Sequence, residues 1–448
     1  MGLRSFDLRR LIRSTFELSS AKFASQTVAL ITLPFVTALY SPEAIGLAAA
    51  VLAVMRIIGA GGGASYHFAL PLAATRAQAA AVYSLVLYIT LGLGLLLLLL
   101  LPPATVLYLG SWLPAMGLAV AVAALVVIEA VIALFTQAHI RHRNYRVIAI
   151  TTILHGLVLY GTIVLLGLIH ADAITYLLGY LIGCCTQLWL LGRSTDFRFA
   201  LRRSARTFVR LRRVAKRYAK FPTVVWPTVT LNAAGNNAPI LAVSWLFGGG
   251  PAGLFAIGER LALAPVVLLG QSFSQVYVGE LAEAVRNNPV RIFAIFRAAL
   301  LLAVVPAGAT FFVIAFLFPA VVDNLLQPQW GALRPLLLPL ALLAFWRLIA
   351  AAVGRVFIVL ERQSIALAWN VGRLAAAFGS FVVASQLGLD FGGAVWLFAT
   401  TWAAIDLLLI VLAATIASQE CRIRTQRTTS GSSAAKEENR RQLHDAGQ

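Results

Sequence analysis

The sequence predicts an all-α integral membrane protein with about twelve transmembrane helices in two six-helix lobes and both termini in the cytoplasm. Composition is the first indication, because 60% of the 448 residues are hydrophobic and only 12% are charged. Soluble domains are usually about 45–50% apolar and about 25% charged. The mean hydropathy of +0.85 points the same way. The lengths of the apolar stretches and the placement of basic residues between them supply the helix count.

Twelve apolar stretches approach the length of about 20 residues that a helix needs to span a bilayer. Pro222, Pro227 and Pro239 fall in the seventh stretch and predict a bent helix there, because proline removes a backbone donor. The predicted spans are 17–40, 43–65, 80–101, 112–137, 147–169, 173–191, 221–247, 252–279, 291–318, 332–358, 363–387 and 390–417.

Lys and Arg residues are concentrated in every second predicted loop. With the N-terminus in the cytoplasm, every cytoplasmic segment carries Lys or Arg, whereas the outside loops carry Arg334 alone. This pattern obeys the positive-inside rule, and one miscounted helix would invert it for all later loops. The cytoplasmic basic residues are Arg4, Arg9, Arg10, Arg13, Arg76, Arg141, Arg143, Arg146, the cluster from Arg193 to Lys220, Arg286, Arg291, Arg362 and those of the tail.

The longest cytoplasmic loop divides the chain into four predicted segments. They are an N-terminal six-helix lobe (1–192), a basic amphipathic linker (193–220), a C-terminal six-helix lobe (221–417) and a disordered cytoplasmic tail (418–448). The linker pattern predicts a helix lying on anionic lipids of the inner leaflet, and a solvated basic linker is the alternative. Because the positive charge lies in loops between apolar spans, we expect no nucleic-acid partner. The apolar face of the linker would comprise Phe197, Leu201, Phe208, Leu211 and Tyr218.

Cations inside the predicted spans are the candidate substrate-binding residues. Charges in the hydrocarbon core are costly and usually face a cavity or a partner. Arg297 and Arg355 lie near the inner surface and can extend to it. The deeper cations exceed the available acids, which predicts a positively charged, water-accessible cavity between the lobes. For each cation the alternative is a structural ion pair, as between Lys22 and Glu129. The deeper cations are Lys22, Arg56, Arg260, Arg347 and Arg373.

Polar side chains at helical spacing extend the predicted cavity. Gln26 lies one turn from Lys22, Asn232 and Asn236 are four residues apart, and Gln271 and Gln275 continue the stripe from Arg260. Hydrogen bonding between helices is the alternative role for such amides. Guanidinium groups bind phosphate in bidentate fashion, so the arginines favour a lipid-linked phosphate or diphosphate as ligand.

Enzymatic motifs are missing from the sequence. The pair His139 and His142 has no acidic partner, and the glycines at 59–63 follow no strand and precede no lysine, so neither predicts a metal site or a phosphate loop. We therefore expect a protein that is not an enzyme and has no cofactor or metal. Carboxylates within the spans are candidates for coupling to H⁺ or Na⁺. These carboxylates are Glu17, Glu129, Glu259 and Asp406.

The stretch from Tyr218 to Ala284, YAKFPTVVWPTVTLNAAGNNAPILAVSWLFGGGPAGLFAIGERLALAPVVLLGQSFSQVYVGELAEA, resembles a known family. It is similar to the entry into the second lobe of polysaccharide transporters, the Wzx-type lipid-linked oligosaccharide flippases of the multidrug/oligosaccharidyl-lipid/polysaccharide (MOP) exporter superfamily. The resemblance runs over about residues 8–417. After its second span the family often has Arg-Tyr-Glu, whereas this chain has Ser65, Tyr66 and His67. The matching residues are Phe221, Pro222, Phe247, Gly248, Ala252, Gly253, Phe255, Ala256, Arg260, Pro265 and Gly270.

The resemblance implies two lobes in a V and alternating access in the bacterial inner membrane. It implies export of undecaprenyl-diphosphate-linked oligosaccharide units for O-antigen, capsule or exopolysaccharide, with a polysaccharide polymerase and chain-length proteins as partners. Related lipid II flippases have cavity cations on their first, second and eighth spans, which correspond to Lys22, Arg56 and Arg260. The rival hypotheses are a multidrug or other lipid exporter of the same superfamily and a membrane-embedded assembly enzyme.

Overall fold

A computed structural model describes residues 8–109, 112–194, 207–287, 289–360 and 362–445. These residues form sixteen α-helices with short 3₁₀ and π turns between them, and they contain no β-strand. The helices are α1 (Leu8–Ile31), α2 (Leu33–Leu39), α3 (Pro42–Ala60), α4 (Arg76–Leu109), α5 (Trp112–Arg141), α6 (Tyr145–Gly167), α7 (Ala173–Arg193), α8 (Phe208–Arg217), α9 (Trp226–Phe247), α10 (Gly249–Asn287), α11 (Ile292–Phe312), α12 (Phe318–Leu325), α13 (Leu337–Val353), α14 (Val356–Val359), α15 (Gln363–Gln386) and α16 (Phe391–Asp445).

The predicted all-helical membrane fold is confirmed. Within the described residues, nine helical segments are long and apolar enough to cross a membrane. The other three predicted spans form α9, α10 and α15, which carry several polar side chains. A π-helical turn containing Pro222 precedes α9, so the helical geometry changes at the first of the three prolines. The count of twelve spans and the cytoplasmic termini stay predictions.

The first of two compact units consists of Met1–Ile257 and Val322–Ala332. In it α6 packs against α1 and α7, α4 packs against α5, and α3 packs against α5, α7 and α9. The fully buried Trp330 donates its indole N–H to the carbonyl of Thr37 at 2.8 Å. Thr37 lies in the last turn of α2, where backbone carbonyls lack helical partners. The segment around Trp330 therefore caps the end of α2.

The starts of α3 and α10 meet backbone to backbone in this unit. A Cβ on Gly46 would overlap the carbonyl oxygen of Gly249, and a Cβ on Gly253 would overlap that of Pro42. The carbonyl group that each glycine contacts lies four residues before the glycine of the other helix, so the contact is reciprocal. Small residues permit such close helix approach in membranes. The two segments share a short motif, LYSPEAIGL at 39–47 and LFGGGPAGL at 246–254, which marks a local internal repeat.

Alanine at Gly46 or Gly253 is expected to destabilise the protein by about 1–3 kcal/mol, because overpacking forces these backbones apart. The matched controls are Gly59→Ala on α3 and Gly250→Ala on α10, where an added Cβ meets no atom within 4 Å. Thermal melting of the purified variants in detergent checks this. Equal melting temperatures for the two pairs of variants would contradict the close approach.

The linker helix α8 packs on the first unit. Val214 and Tyr218 are buried in a cluster with Leu70 and Tyr83, and the Tyr66 hydroxyl donates to the carbonyl of Ala215 at 3.2 Å. Phe208, on the same predicted apolar face as Tyr218, is 75% exposed. The predicted apolar face is therefore not uniform: its C-terminal part packs against protein, whereas Phe208 is exposed. Phe197 and Leu201 lie outside the described residues, and contact of the linker with lipid stays a prediction.

The second unit consists of Gly258–Val321 and Leu333–Gln448. In it α13 packs against α11 and α16, and α16 also packs against α11 and α15. Stacked rings join α15 to α16, since the Phe381 and Phe398 centroids are 5.0 Å apart. Within α16, the edge of one ring of the Phe398–Trp402 pair meets the face of the other, with centroids 5.2 Å apart. Helix α16 continues to Asp445, so most of the tail predicted to be disordered is helical. Its Ala, Glu, Lys, Arg and Gln residues are good helix formers. The domain boundaries stay predictions.

Candidate functional site

Arg56, Glu129 and Tyr180 form a polar cluster inside the first unit. They lie on α3, α5 and α7, which pack against one another. The Tyr180 hydroxyl donates to Oε1 of Glu129 at 2.7 Å, and the Arg56 guanidinium interacts electrostatically with both residues and with Tyr160. Many protein atoms surround Arg56, yet its side chain is accessible. Arg56 is therefore an accessible cation whose charge is partly balanced by a carboxylate and a phenol.

Glu129 thus has a partner other than the one that the sequence suggested. Lys22 is exposed on α1, while Glu129 accepts a hydrogen bond from Tyr180. Tyr180 was missed by sequence reasoning, because an aromatic residue in an apolar span is usually a packing residue. Only the contact between three helices identifies it as a polar bridge.

A second cluster lies inside the second unit, around the indole of Trp402. The Cζ atoms of Arg347 and Arg373 lie 5.2 Å and 4.8 Å from the centre of this ring. Such cation–π contacts stabilise a guanidinium by about 0.5–2 kcal/mol. Nη1 of Arg347 also lies 3.8 Å from Oε1 of Glu259 on α10. This cluster joins three helices of the unit (α13, α15 and α16) to α10.

Asp406 completes the Trp402 cluster. It lies one helical turn after Trp402, is 3% exposed and interacts electrostatically with Arg373 and Arg347. Its Oδ2 atom has no hydrogen-bond partner among the described residues, which is unusual for a buried carboxylate. The structure therefore brings together four predicted residues, Arg347, Arg373, Glu259 and Asp406. Sequence reasoning missed Trp402, although its four-residue spacing from Asp406 was the available signal.

The two clusters change the electrostatic argument. Arg56 interacts with one carboxylate, and Arg347 and Arg373 share two. Each of these cations therefore has an anionic partner within its own unit. The remaining candidates are Lys22, which is exposed, and Arg260, which is half-buried and follows Glu259 on α10. A cationic cavity between the lobes stays a prediction.

The structure places the other candidate residues on helices as well. Gln26 and Glu17 are half-buried on α1, while Asn232 is exposed and Asn236 half-buried on α9. Gln271 and Gln275 lie on α10, and their side chains are outside the described part. Arg297 and Arg355 are exposed, as the sequence predicts for side chains that reach the membrane surface. In the described residues no group of three or more His, Cys, Asp or Glu is arranged to hold a metal.

The triplet that replaces the Arg-Tyr-Glu of the resembled family is buried in a strained turn after α3. Gly63, Ala64 and Ser65 have φ angles of 62°, 50° and 59°, which costs about 1–3 kcal/mol for each non-glycine residue. Ser65, Tyr66 and His67 are all buried. The Arg141 guanidinium donates to the carbonyl of Leu70 at 2.9 Å and also to that of Ala73. The turn is therefore fixed by packing and by an arginine from α5.

His67 makes this turn sensitive to acid. Burial lowers the pKa of His67 from 6.5 to about 4, and a hydrogen bond to the Gly62 backbone opposes the shift. Between these values the unfolded chain binds more protons than the folded one, so stability falls as pH decreases through this window. The full loss is about 3 kcal/mol. The melting temperature of the wild type should fall more between pH 7.5 and 4.5 than that of His67→Gln. The control is His142→Gln, an exposed histidine, and a wild-type pH dependence in His67→Gln would contradict the assignment.

Comparison with known proteins identifies the fold. No protein-family model matches the sequence, and no curated protein matches it. Among solved structures, an inward-facing multidrug-resistance MATE-family transporter of the MOP superfamily has a TM-score of 0.66 at 14% identity, over 89% of this chain and 96% of that one. The lipid II flippase MurJ in an inward closed conformation has a TM-score of 0.67 at 14% identity, over 91% and 90%. The chain thus has the fold of MOP-superfamily transporters.

Proposed function

We propose that the chain is a flippase that moves undecaprenyl-diphosphate-linked oligosaccharide units across the bacterial inner membrane for surface polysaccharide synthesis. Support comes from the fold, which the chain shares with a lipid II flippase over nine-tenths of both chains. The observation that carries the choice of substrate is Arg56. It is an accessible arginine deep among helices of the first unit, and arginine is suited to bidentate recognition of phosphate.

Multidrug export is the second candidate, because MATE transporters match the fold equally well. Exporters of cationic drugs favour acidic binding sites, whereas this chain carries a net charge of +19 and five cations deep in its predicted spans. A deletion strain distinguishes the two functions. The flippase predicts loss of surface polysaccharide and accumulation of lipid-linked units, restored by the wild-type gene. Unchanged polysaccharide together with greater sensitivity to cationic drugs would instead establish multidrug export.

The remaining elements of the proposal follow from the topology and from the carboxylates. Basic side chains exposed on α8 contact anionic inner-leaflet lipids, and a polymerase and chain-length proteins receive the exported units. Glu17, Glu129, Glu259 and Asp406 are the candidates for coupling to H⁺ or Na⁺. The protein itself is a transporter without enzymatic activity or cofactor.

If both termini are cytoplasmic, two exposed positions should be accessible to a labelling reagent from opposite sides of the membrane. In a background with the native cysteines replaced by serine, Pro328→Cys should react with an impermeant thiol reagent added to intact cells. Lys216→Cys on α8 should react only after the cells are opened. Both positions are exposed in the structure, so lack of reactivity reflects the side of the membrane. Labelling of Lys216→Cys from outside contradicts the proposed orientation.

A further inference from the structure

Tyr180 links the Arg56 cluster across three helices. Its hydroxyl donates to Oε1 of Glu129 on α5 at 2.7 Å, and its side chain is also a partner of the Arg56 guanidinium on α3. A phenol has one O–H donor and an oxygen that can accept. The hydrogen bond to Glu129 uses the donor, which leaves the oxygen for Arg56. Tyr180 therefore bridges a cation and an anion.

The position of Tyr180 is fixed by the packing of α7 against α6. A Cβ added to Gly179 would overlap Ile163, and a Cβ added to Gly183 would overlap Leu159. Glycines permit such close approach between helices in membranes. Helix α7 also packs against α3 and α5. The closely packed helix therefore presents Tyr180 to the other two members of the cluster at a defined place.

The hydrogen bond to Tyr180 engages Glu129 beside a cation that it could otherwise contact. A carboxylate in direct contact with a guanidinium forms two parallel N–H···O bonds, and a phosphate uses the same pair of donors. In the described part of the chain, Glu129 accepts from the phenol and forms no direct ion pair with Arg56. The Arg56 side chain is accessible. The phenol thus limits competition between the carboxylate and a ligand.

We propose that Tyr180 is a positioning residue for substrate binding, which holds Glu129 and thereby keeps the Arg56 guanidinium available for the diphosphate of the substrate. This inference rests on the proposed function and adds a residue to the same site. Tyr180 acts through Glu129 and not by contact with the ligand. Without the hydroxyl, Glu129 turns to Arg56, and the ligand has to displace it.

Glu129 itself lowers the affinity of the site. Its charge interacts with Arg56, so it also repels an anion bound there, and this repulsion is strong in a medium of low dielectric constant. A transporter must release its ligand after each crossing, so an arginine with partly balanced charge suits transport better than an isolated one. The carboxylate therefore favours release, while Tyr180 prevents it from occupying the site.

Equilibrium binding by the purified full-length protein in detergent tests the inference, with farnesyl diphosphate as the probe and calorimetry as the measurement. Binding is chosen over transport because Glu129 is also a candidate for ion coupling, and binding in detergent needs no ion gradient. Tyr180→Phe should weaken binding about tenfold, which lies within the coupling found between contacting residues. Glu129→Gln keeps an oxygen that accepts from Tyr180 but loses the charge, so it should bind more tightly than the wild type.

The double variant Tyr180→Phe/Glu129→Gln separates positioning from structural damage. If Tyr180 acts through Glu129, its loss has no effect once the carboxylate is gone, so the double variant should bind like Glu129→Gln. The control is Tyr40→Phe, which removes a buried hydroxyl that donates to the carbonyl of Ile163 at 2.9 Å in the same unit. This variant should bind like the wild type.

Wild-type affinity in Tyr180→Phe would overturn the inference, and so would a double variant that binds as weakly as Tyr180→Phe. Wild-type affinity in Arg56→Gln, or the absence of probe binding by the wild type, would overturn the site. If Tyr180→Phe does not accumulate, Glu129→Gln tests the inference alone, and weaker binding than the wild type would contradict it. Polysaccharide export in the deletion strain decides the proposed function independently of these results.

Discussion

Replacing Arg56 or Arg260 with alanine is expected to abolish polysaccharide export while the protein still accumulates in the membrane. Both arginines lie deep in predicted spans, where we propose that they bind the diphosphate of the substrate. Arg56 is accessible beside Glu129 and Tyr180, and Arg260 is half-buried on α10. The planar guanidinium group of arginine permits a bidentate contact with phosphate. Arg260→Lys loses this geometry but keeps the positive charge, so it should keep part of the activity. The measurement is surface polysaccharide in a complemented deletion strain, with membrane levels checked by immunoblot.

Arg297→Ala and Arg355→Ala are the matched controls, because both arginines are exposed. They should export nearly normally. Arg56→Ala leaves Glu129 without its cation, so Arg56→Lys separates loss of charge from loss of phosphate geometry. Normal export by the double variant Arg56→Ala/Arg260→Ala would show that these arginines are structural and that the substrate argument fails.

Reversing one charge of the Arg347–Glu259 pair is expected to destabilise the second unit strongly, and reversing both should restore most of the loss. Arg347→Glu places two carboxylates where the wild type has an ion pair at 3.8 Å. At an effective dielectric constant of about 20, like charges about 4 Å apart repel by about 4 kcal/mol. The double variant Arg347→Glu/Glu259→Arg regains an opposite-charge pair. Melting temperature and membrane accumulation measure the effect.

A double-mutant cycle isolates the pair from the rest of the cluster. The control is reversal of Arg362 and Glu420, which lie 3.3 Å apart in the same unit with side-chain exposures of 54% and 13%. Solvent screens the Arg362 end of this pair, so the pair should contribute less than Arg347 and Glu259 do. Additive effects of Arg347→Glu and Glu259→Arg would contradict a direct interaction between the two side chains.

The helices could be predicted from the sequence because spanning segments must be long and apolar. This constraint acts within one segment, so local composition reveals it. Predicted spans such as 43–65 and 173–191 correspond to α3 and α7. The reciprocal contact at Gly46 and Gly253 was missed, since the repeat it marks is only a few residues long.

The sequence predicted which residues belong to the candidate sites, but it did not predict which side chains contact one another. A charge is costly in the hydrocarbon core of a membrane, which identifies Arg56, Arg347 and Arg373 as functional candidates. This cost does not indicate which helices pack against one another. Glu129 and Tyr180 are 51 residues apart in sequence, and no periodicity relates them. Contacts between side chains on different helices could therefore be identified only from the structure.

Transport by the purified protein in liposomes tests the central claim most directly. Undecaprenyl diphosphate carrying a fluorescent oligosaccharide is incorporated into proteoliposomes, and a membrane-impermeant quencher reports which leaflet holds the label. With the wild type the quenched fraction should rise as label crosses the bilayer, and with Arg56→Ala or Arg260→Ala it should stay at the level of protein-free liposomes. A wild-type rate equal to that of protein-free liposomes, or equal rates for the wild type and both variants, would contradict the account.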